Sequence, residues 1–228
     1  MAEKFELSVI GYVENDFNEK FGIPRQSGIL SKMQSKIVLE KEYSDKNAFR
    51  GIEEFSHLWI IWQFSENVNK PWTPCVRPPR LGGNKKVGVF ATRSPFRPNS
   101  LGMSSVELDK VTFDEFGRAV LSVRGADMLS GTPVFDIKPY VAFSDSHEDA
   151  KCSFSDEFAD YCLEVVFPQE LLELIPAEKR ETVKMILSSD PRPSYQKDER
   201  EYGMSFGGFE IKFTVKEKTL TVVSVEKE

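Results

Sequence analysis

The stretch Ser104–Arg124 reads SSVELDKVTFDEFGRAVLSVR. Across Ser104–Phe113, Val106, Leu108 and Val111 alternate with polar residues in the manner of a half-buried strand. Asp114–Gly117 (DEFG) has the composition of a hairpin turn, and Arg118–Arg124 returns as a second strand. The neighbouring segments are of the same kind. Phe5–Val13, Lys36–Leu39, Val87–Ala91 and Val134–Phe143 each read as a strand. Phe55–Phe64 (FSHLWIIWQF) is so apolar that it predicts a buried central strand. Only Ser44–Glu54 looks helical, with Ser44 or Asp45 as its cap and Gly51 near its end. Short strands joined by long irregular loops predict a mainly β fold, a barrel or a sandwich.

The pattern changes after an acidic stretch at Ser144–Ala150 (SDSHEDA). Leu163–Phe167 reads as a strand and Gln169–Ser189 as a helix bent at Pro176. Asp190–Gln196 (DPRPSYQ) is a rigid loop, and Phe209–Val215 with Thr219–Val225 forms a hairpin. The expected organisation is a β domain over residues 1–145 and a small C-terminal α+β appendage over 146–228.

Several function classes drop out on composition. No apolar run has the length of a membrane span, and the N-terminus carries charges where a signal peptide needs its apolar core. Three cysteines with no pairing pattern indicate a reducing compartment, which points to the cytoplasm. Two histidines leave few soft ligands, so no metal is expected. There is no phosphate loop, no G-x-G-x-x-G fingerprint and no G-x-S-x-G elbow. Charge is informative through its distribution. Asn67–Val106 contains no Asp or Glu and carries a local charge of +7, inside a chain whose net charge is −6. A basic segment in an acidic protein marks a site for an anionic ligand.

That segment contains Gly88–Ser104, GVFATRSPFRPNSLGMS, where Arg93 and Arg97 sit among prolines. A loop stiffened in this way is suited to hold a carboxylate or phosphate. Three other loops adjoin strong strands: Pro24-Arg25-Gln26, Ser65-Glu66 and Asp127–Thr132. In a barrel these loops can converge at one end and build a pocket. Gln26 and the backbone of Ser130-Gly131 are candidates to bond a purine or ribose edge. Asp136–Tyr140 (DIKPY) is a second candidate. An exocyclic adenine amine is a poor nucleophile, and its alkylation needs acceptors for the amino hydrogens and an aromatic face for the base. Asp136 and Tyr140 have those capacities, in a pattern analogous to the D-P-P-Y motif of unrelated amino-methylating enzymes.

PRQ at 24–26, the Arg-Pro-Asn motif within 88–104, DMLSGTPVFDIKPY at 127–140 and DPRPSYQ at 190–196 resemble the TsaA-like (TrmO, formerly YaeB) family over essentially the whole chain. The resemblance implies a β-barrel methyltransferase distinct from the Rossmann type. It implies S-adenosylmethionine as cofactor, tRNA as partner through its anticodon stem-loop, and a homodimer. The implied acceptor is N6 of threonylcarbamoyladenosine at tRNA position 37. Carried over, the cofactor residues are Pro24, Arg25, Gln26, Arg93 and the loop Asp127, Met128, Leu129, Ser130 and Gly131. Two positions depart from the family pattern: Ser65-Glu66 replaces a frequent His-Gln, and Met103 replaces a frequent Leu. Asp136, Lys138 and Tyr140 are the expected catalytic residues. Lys85, Lys86, Arg97, Arg192 and Tyr195 are the expected RNA contacts, with Trp72 nearby for stacking. Two alternatives stay open at this point: a methyltransferase of this fold with another acceptor, and a non-enzymatic barrel that binds nucleotide or RNA.

Overall fold

The computed structural model describes residues 3–23, 33–81, 83, 85–158, 161–192 and 200–228. The alternating stretches become strands β1 (Gly11–Glu14), β2 (Gln34–Leu39), β3 (His57–Gln63), β4 (Cys75–Val76), β5 (Val87–Gly88), β6 (Leu101–Phe113), β7 (Ala119–Arg124) and β8 (Pro133–Pro139). Six of them close into a barrel in the order β1–β2–β7–β6–β3–β8, each paired antiparallel to its neighbours. Closure removes the exposed strand edges. The interior is filled by the alternate residues of each strand, among them Val13, Ile37, Leu58, Ile60, Val106 and Leu121, all at most 1% exposed.

The β6–β7 hairpin is as read from the sequence. Phe113 pairs with Ala119, and the Asp114 and Gly117 amides donate to the Arg118 and Asp114 carbonyls. Gly117 adopts φ +71°. Other expectations shift. Phe5–Val13 is a strand only from Gly11, since Phe5 and Leu7 lie exposed with no partner strand. Ser44–Glu54 is no α-helix; the region forms three short 3-10 turns, Lys41–Tyr43, Lys46–Phe49 and Ile52–Glu54. Gly51 at φ +80° interrupts the run, and a helix this short does not repay its nucleation. Val87–Ala91 keeps two strand residues before a 3-10 turn, and the DIKPY strand ends at Pro139, short of a helical turn α1 (Ala142–Asp145). The aromatic strand is not buried on both faces. In β3 the burial alternates, with Leu58, Ile60 and Trp62 inside and Trp59 and Ile61 half-buried outside.

The C-terminal part holds β9 (Glu164–Val166), α2 (Gln169–Leu172), α3 (Ala177–Ser188), β10 (Tyr202–Phe206), β11 (Phe209–Lys216) and β12 (Thr219–Lys227). Its sheet runs β10–β11–β12–β9, antiparallel except for β12 with β9. Pro176 stands at the start of α3 and separates it from α2, the bend the sequence placed there. Val183, Ile186 and Leu187 bury one side of α3 in the same core as Ile211, Phe213 and Leu220. Strand β10 had no sequence signal. Tyr202, Met204, Ser205 and Phe206 are all buried, so YGMSF does not alternate. No helix among the described residues is long and apolar enough to cross a membrane.

Candidate functional site

The strand order fixes which loops share an end of the barrel. β1, β3 and β7 run towards one mouth, and β2, β6 and β8 start from it. The described ends of the connections 15–33, 64–100 and 125–132 therefore gather at that mouth. They are the connections that carry Pro24-Arg25-Gln26, Ser65-Glu66 with Arg93, and Asp127–Gly131. The structure thus brings Ser65, Glu66 and the 127–131 loop to one end, with Arg93 on the connection that leaves from it and returns to it. Pro24, Arg25, Gln26 and Tyr195 lie outside the described residues.

The 125–132 connection is held from two sides. Ala126 and Met128 are fully buried in the barrel core, so the Met128 side chain packs and does not face a ligand. Asn15 donates from Nδ2 to the Met128 carbonyl at 2.8 Å. The Ser130 and Gly131 amides donate to the Phe17 and Val13 carbonyls, each at 2.8 Å. These two amides are therefore engaged within the protein, which leaves only the carbonyls of Ser130-Gly131 for a purine or ribose edge. Asp127 is fixed from within the barrel. The buried Trp62 indole donates from Nε1 to Ser104 Oγ at 2.9 Å, and the Ser104 hydroxyl donates to Asp127 Oδ1 at 2.5 Å. An indole nitrogen only donates, so the order of this relay is set. Gly102, in the Arg-Pro-Asn motif, makes room for it, because a Cβ there would collide with the Trp62 ring.

The 64–100 connection is braced by its own side chains. Arg97 donates from Nη1 to the Thr92 and Ser94 carbonyls at 3.1 and 3.4 Å, so its guanidinium shapes the loop that presents Arg93. Thr92 Oγ1 donates to the Val89 carbonyl and accepts from the Ser94 amide. β4 pairs with β5, and the Thr73 amide donates to the Phe96 carbonyl. Arg93 is exposed and makes no hydrogen bond or ion pair among the described residues. Lys85 and Lys86 are exposed too. Phe90 is 74% and Trp72 52% exposed, two aromatic faces in the acid-free segment. Glu66 pairs with Lys20 at 2.5 Å, and Lys20 also donates to Asn67 Oδ1, which ties two mouth loops together.

Asp136, Lys138 and Tyr140 lie on the outer wall of β8 and its extension. Asp136 pairs across Ile61 with Met103 near the mouth, while the Tyr140 amide donates to the His57 carbonyl at the far end of β3. Four residues of strand separate Asp136 and Tyr140 by about 13 Å. Asp136 Oδ2 meets Lys138 Nζ at 2.9 Å, and Tyr140 packs on Trp59 with ring centroids 5.5 Å apart. Asp145 accepts from Trp59 Nε1 and the Val141 amide. The Val141 amide first and then the Trp59 indole hold its carboxyl below the usual carboxylate range, against a smaller opposing effect of burial. Arg192 turns inward. It is 8% exposed and its Nε and Nη2 grip Asp190 Oδ1 and Oδ2 at 2.9 and 3.1 Å, so it is a buried structural cation and not a surface RNA contact. Sequence reasoning missed Asn15, Trp62 and Ser104. Their partners are 23 to 113 residues away, and no local pattern links them.

A closed antiparallel barrel whose mouth loops carry an anchored carboxylate belongs to the class of closed β-barrel proteins with a polar mouth, not to the doubly wound dinucleotide folds. Comparison with known proteins agrees. Residues 12–146 match the model of the tRNA-methyltransferase O N-terminal domain, and residues 151–228 match that of the TrmO C-terminal domain. The chain belongs to the TrmO family. It is 38% identical to the tRNA (adenine(37)-N6)-methyltransferase of Escherichia coli K12, over 97% of this chain and 98% of that one. The enzyme of the same name in Eikenella corrodens is 42% identical, over 74% of this chain and 95% of its own. The crystal structure of TrmO from Pseudomonas aeruginosa superposes with a TM-score of 0.79 at 28% identity, covering 100% of this chain and 99% of that one. Relatives in P. aeruginosa and Pyrococcus abyssi are named for S-adenosylmethionine.

Proposed function

We propose that this protein transfers the methyl group of S-adenosylmethionine to N6 of adenosine 37 in tRNA, and that the base it accepts already carries the threonylcarbamoyl group. The observation that carries the reading is the mouth itself. Asp127 is a fixed carboxylate there, and the connection that leaves the same mouth between β3 and β6 carries Arg93, an exposed cation with no partner among the described residues, within the acid-free basic segment.

The residues fit the cofactor. Arg93, free of other partners among the described residues, suits a carboxylate tail. Asp127, with the Ser104 and Trp62 relay behind it, suits ribose hydroxyls or the sulfonium charge, and half-buried Leu129 offers an apolar contact. Bound S-adenosylmethionine supplies an electrophilic methyl on sulfur. The protein's share is placement of the acceptor amine in line with that methyl. Asp136, on the outer wall near the mouth, accepts the N6 hydrogen and is the candidate to take its proton as the methyl arrives. Lys138 beside it faces the carboxylate of the threonylcarbamoyl group, and Tyr140, about 13 Å along the strand, offers an aromatic face to a neighbouring base. Lys85, Lys86, Trp72 and Phe90 receive the anticodon stem-loop by charge and stacking.

The working unit is a homodimer in the cytoplasm, with residues 1–145 as the catalytic domain and 146–228 beside it. The dimer reading rests on the outer wall of the barrel. Ile61, Trp59, Met103 (55% exposed) and Tyr140 form an apolar surface there, alongside Phe143 at 93% exposure. Association through this wall brings the Asp136–Tyr140 face of one protomer to the other, and light scattering of the purified protein checks it. Nucleoside mass spectrometry of tRNA from a deletion strain tests the function. Loss of the methyl group with the threonylcarbamoyl group intact supports it, and an unchanged nucleoside profile refutes it. Arg93→Ala is expected to abolish the thermal shift that S-adenosylmethionine produces; a retained shift removes Arg93 from the site.

A further inference from the structure

Residues Asn15, Asp16 and Phe17 leave the barrel at the end of β1 and divide their contacts between two parts of the molecule. Towards the mouth, Asn15 Nδ2 donates to the Met128 carbonyl, and the Phe17 carbonyl accepts from the Ser130 amide. The Asn15 side chain also bonds the Phe17 amide at 2.9 Å, which locks the three residues into one turn. Towards the C-terminal part, Asp16 Oδ1 pairs with Lys179 Nζ of α3 at 2.7 Å, and the Asp16 carbonyl accepts from the Gly207 amide. Phe17 is fully buried and meets the edge of Phe206 with ring centroids 5.3 Å apart. Five residues on, Gly22 at φ +91° lies so close to β10 that a Cβ would come within 2.6 Å of Met204 Sδ.

We infer that the C-terminal domain is a strut for the cofactor site: through Lys179 and Phe206 it sets the position of Asn15–Phe17, and these residues set the position of the 127–131 loop. This rests on the assignment of that loop to S-adenosylmethionine. The physical argument is one of shared atoms. The Phe17 backbone holds Ser130 while its ring is held by Phe206, so displacement of the ring displaces the carbonyl that the loop hangs from. Contacts that only packed two domains together have no need to share residues with a binding loop. The strut is a positioning device, because Lys179 and Phe206 touch Asp16 and Phe17, which in turn hold the 127–131 loop. It also gives the C-terminal domain a role toward the cofactor that is separate from any contact with tRNA.

The test uses the full-length protein. S-adenosylmethionine affinity is measured by calorimetry without tRNA, and KM for each substrate and kcat are measured with it. Lys179→Ala and Phe206→Leu are expected to weaken S-adenosylmethionine binding about fivefold, the size of one partly exposed ion pair. The KM for tRNA is expected to stay within about twofold in both, a margin far below the tenfold that 1.4 kcal/mol produces. Lys179→Arg, and the exchange Asp16→Lys with Lys179→Asp, are expected to restore affinity, which a mere loss of folded protein would not do. Asp127→Asn separates this inference from the reading beneath it. If Asp127→Asn weakens cofactor binding while Lys179→Ala and Phe206→Leu do not, the strut is refuted and the loop assignment stands. If Asp127→Asn leaves affinity unchanged, the loop assignment fails and takes the strut with it. A rise confined to the KM for tRNA also overturns the strut and makes these residues part of an RNA surface.

Discussion

Replacing Ser104 with Ala removes the centre of the Trp62–Ser104–Asp127 relay and adds no bulk. Trp62 is 5% exposed, and its indole N–H loses the acceptor at 2.9 Å. A buried donor left without a partner costs about 1–3 kcal/mol. The Asp127 carboxylate loses a short charge-assisted bond at 2.5 Å, but it is half-buried and water can replace part of that bond. This second loss contributes about 1 kcal/mol, below the 1.5–3 usual for a bond to a charged group. Together they amount to roughly 3 kcal/mol, or about 6–12 °C in Tm for a chain of this size. The assays are denaturant unfolding, with the slope checked against the parent protein, and calorimetric titration with S-adenosylmethionine. Asp127→Asn is the control, because it keeps one acceptor oxygen for the Ser104 hydroxyl and gives up the charge and the second acceptor. It is expected to unfold at about 1 kcal/mol below the parent and to weaken the cofactor more than it weakens the fold. The reasoning is refuted if Ser104→Ala unfolds within about 1 kcal/mol of the parent, or if Asp127→Asn is the more destabilising of the two.

Arg192→Ala leaves Asp190 buried at 8% exposure without its bidentate partner but with the Tyr161 hydroxyl still donating to it, and is expected to cost about 3 kcal/mol, the low end for a broken buried pair, with no separate change in the KM for tRNA; a stable variant with impaired tRNA binding contradicts the structural role. Gly102→Ala pushes a methyl group into the Trp62 ring, and is expected to cost about 1–3 kcal/mol and to alter the near-ultraviolet dichroism of the tryptophans. Asp145 titrates below the usual carboxylate range because the Val141 amide and the Trp59 indole bond its ionised form. A carboxyl depressed in the folded state adds stability that is fully present above its unfolded pKa and is lost as pH falls through its folded pKa. Acid titration followed by Trp59 fluorescence is therefore expected to show a step at the low end of the carboxylate range, and Asp145→Asn is expected to remove it; an identical titration in both proteins counts against the assignment.

The strands show how far a sequence carries. The β6–β7 hairpin was legible because its period of two and its DEFG turn are local, and local preference agrees with the fold there. The same holds for Pro176, which cannot sit inside a regular helix and is well suited to the start of one, so α3 begins just after it. Phe55–Phe64 was misjudged because a run of apolar residues looks the same whether both faces meet core or one face is left for a partner surface. YGMSF at β10 was missed because a strand buried almost throughout has no alternation to detect. Met128 and Arg192 were drawn into the site by the motifs around them, and their burial depends on neighbours far along the chain.

For this protein the sequence by itself determined the β class and the family, and it singled out the loops to which the proposed site is assigned. Those properties reside in residue type at fixed spacing: an acid-free basic stretch, an Arg-Pro-Asn motif and alternating strands. Only the tertiary structure decided that the three loops share one mouth, because strand order in a closed barrel is a matter of long-range pairing. It also decided that Arg97 braces the loop presenting Arg93, that Ser104 and Trp62 stand behind Asp127, and that Asn15–Phe17 join the site to the C-terminal sheet. Each of these rests on a hydrogen bond, an ion pair or a ring contact. Such contacts depend on where folding places two groups in space, and composition alone does not record that.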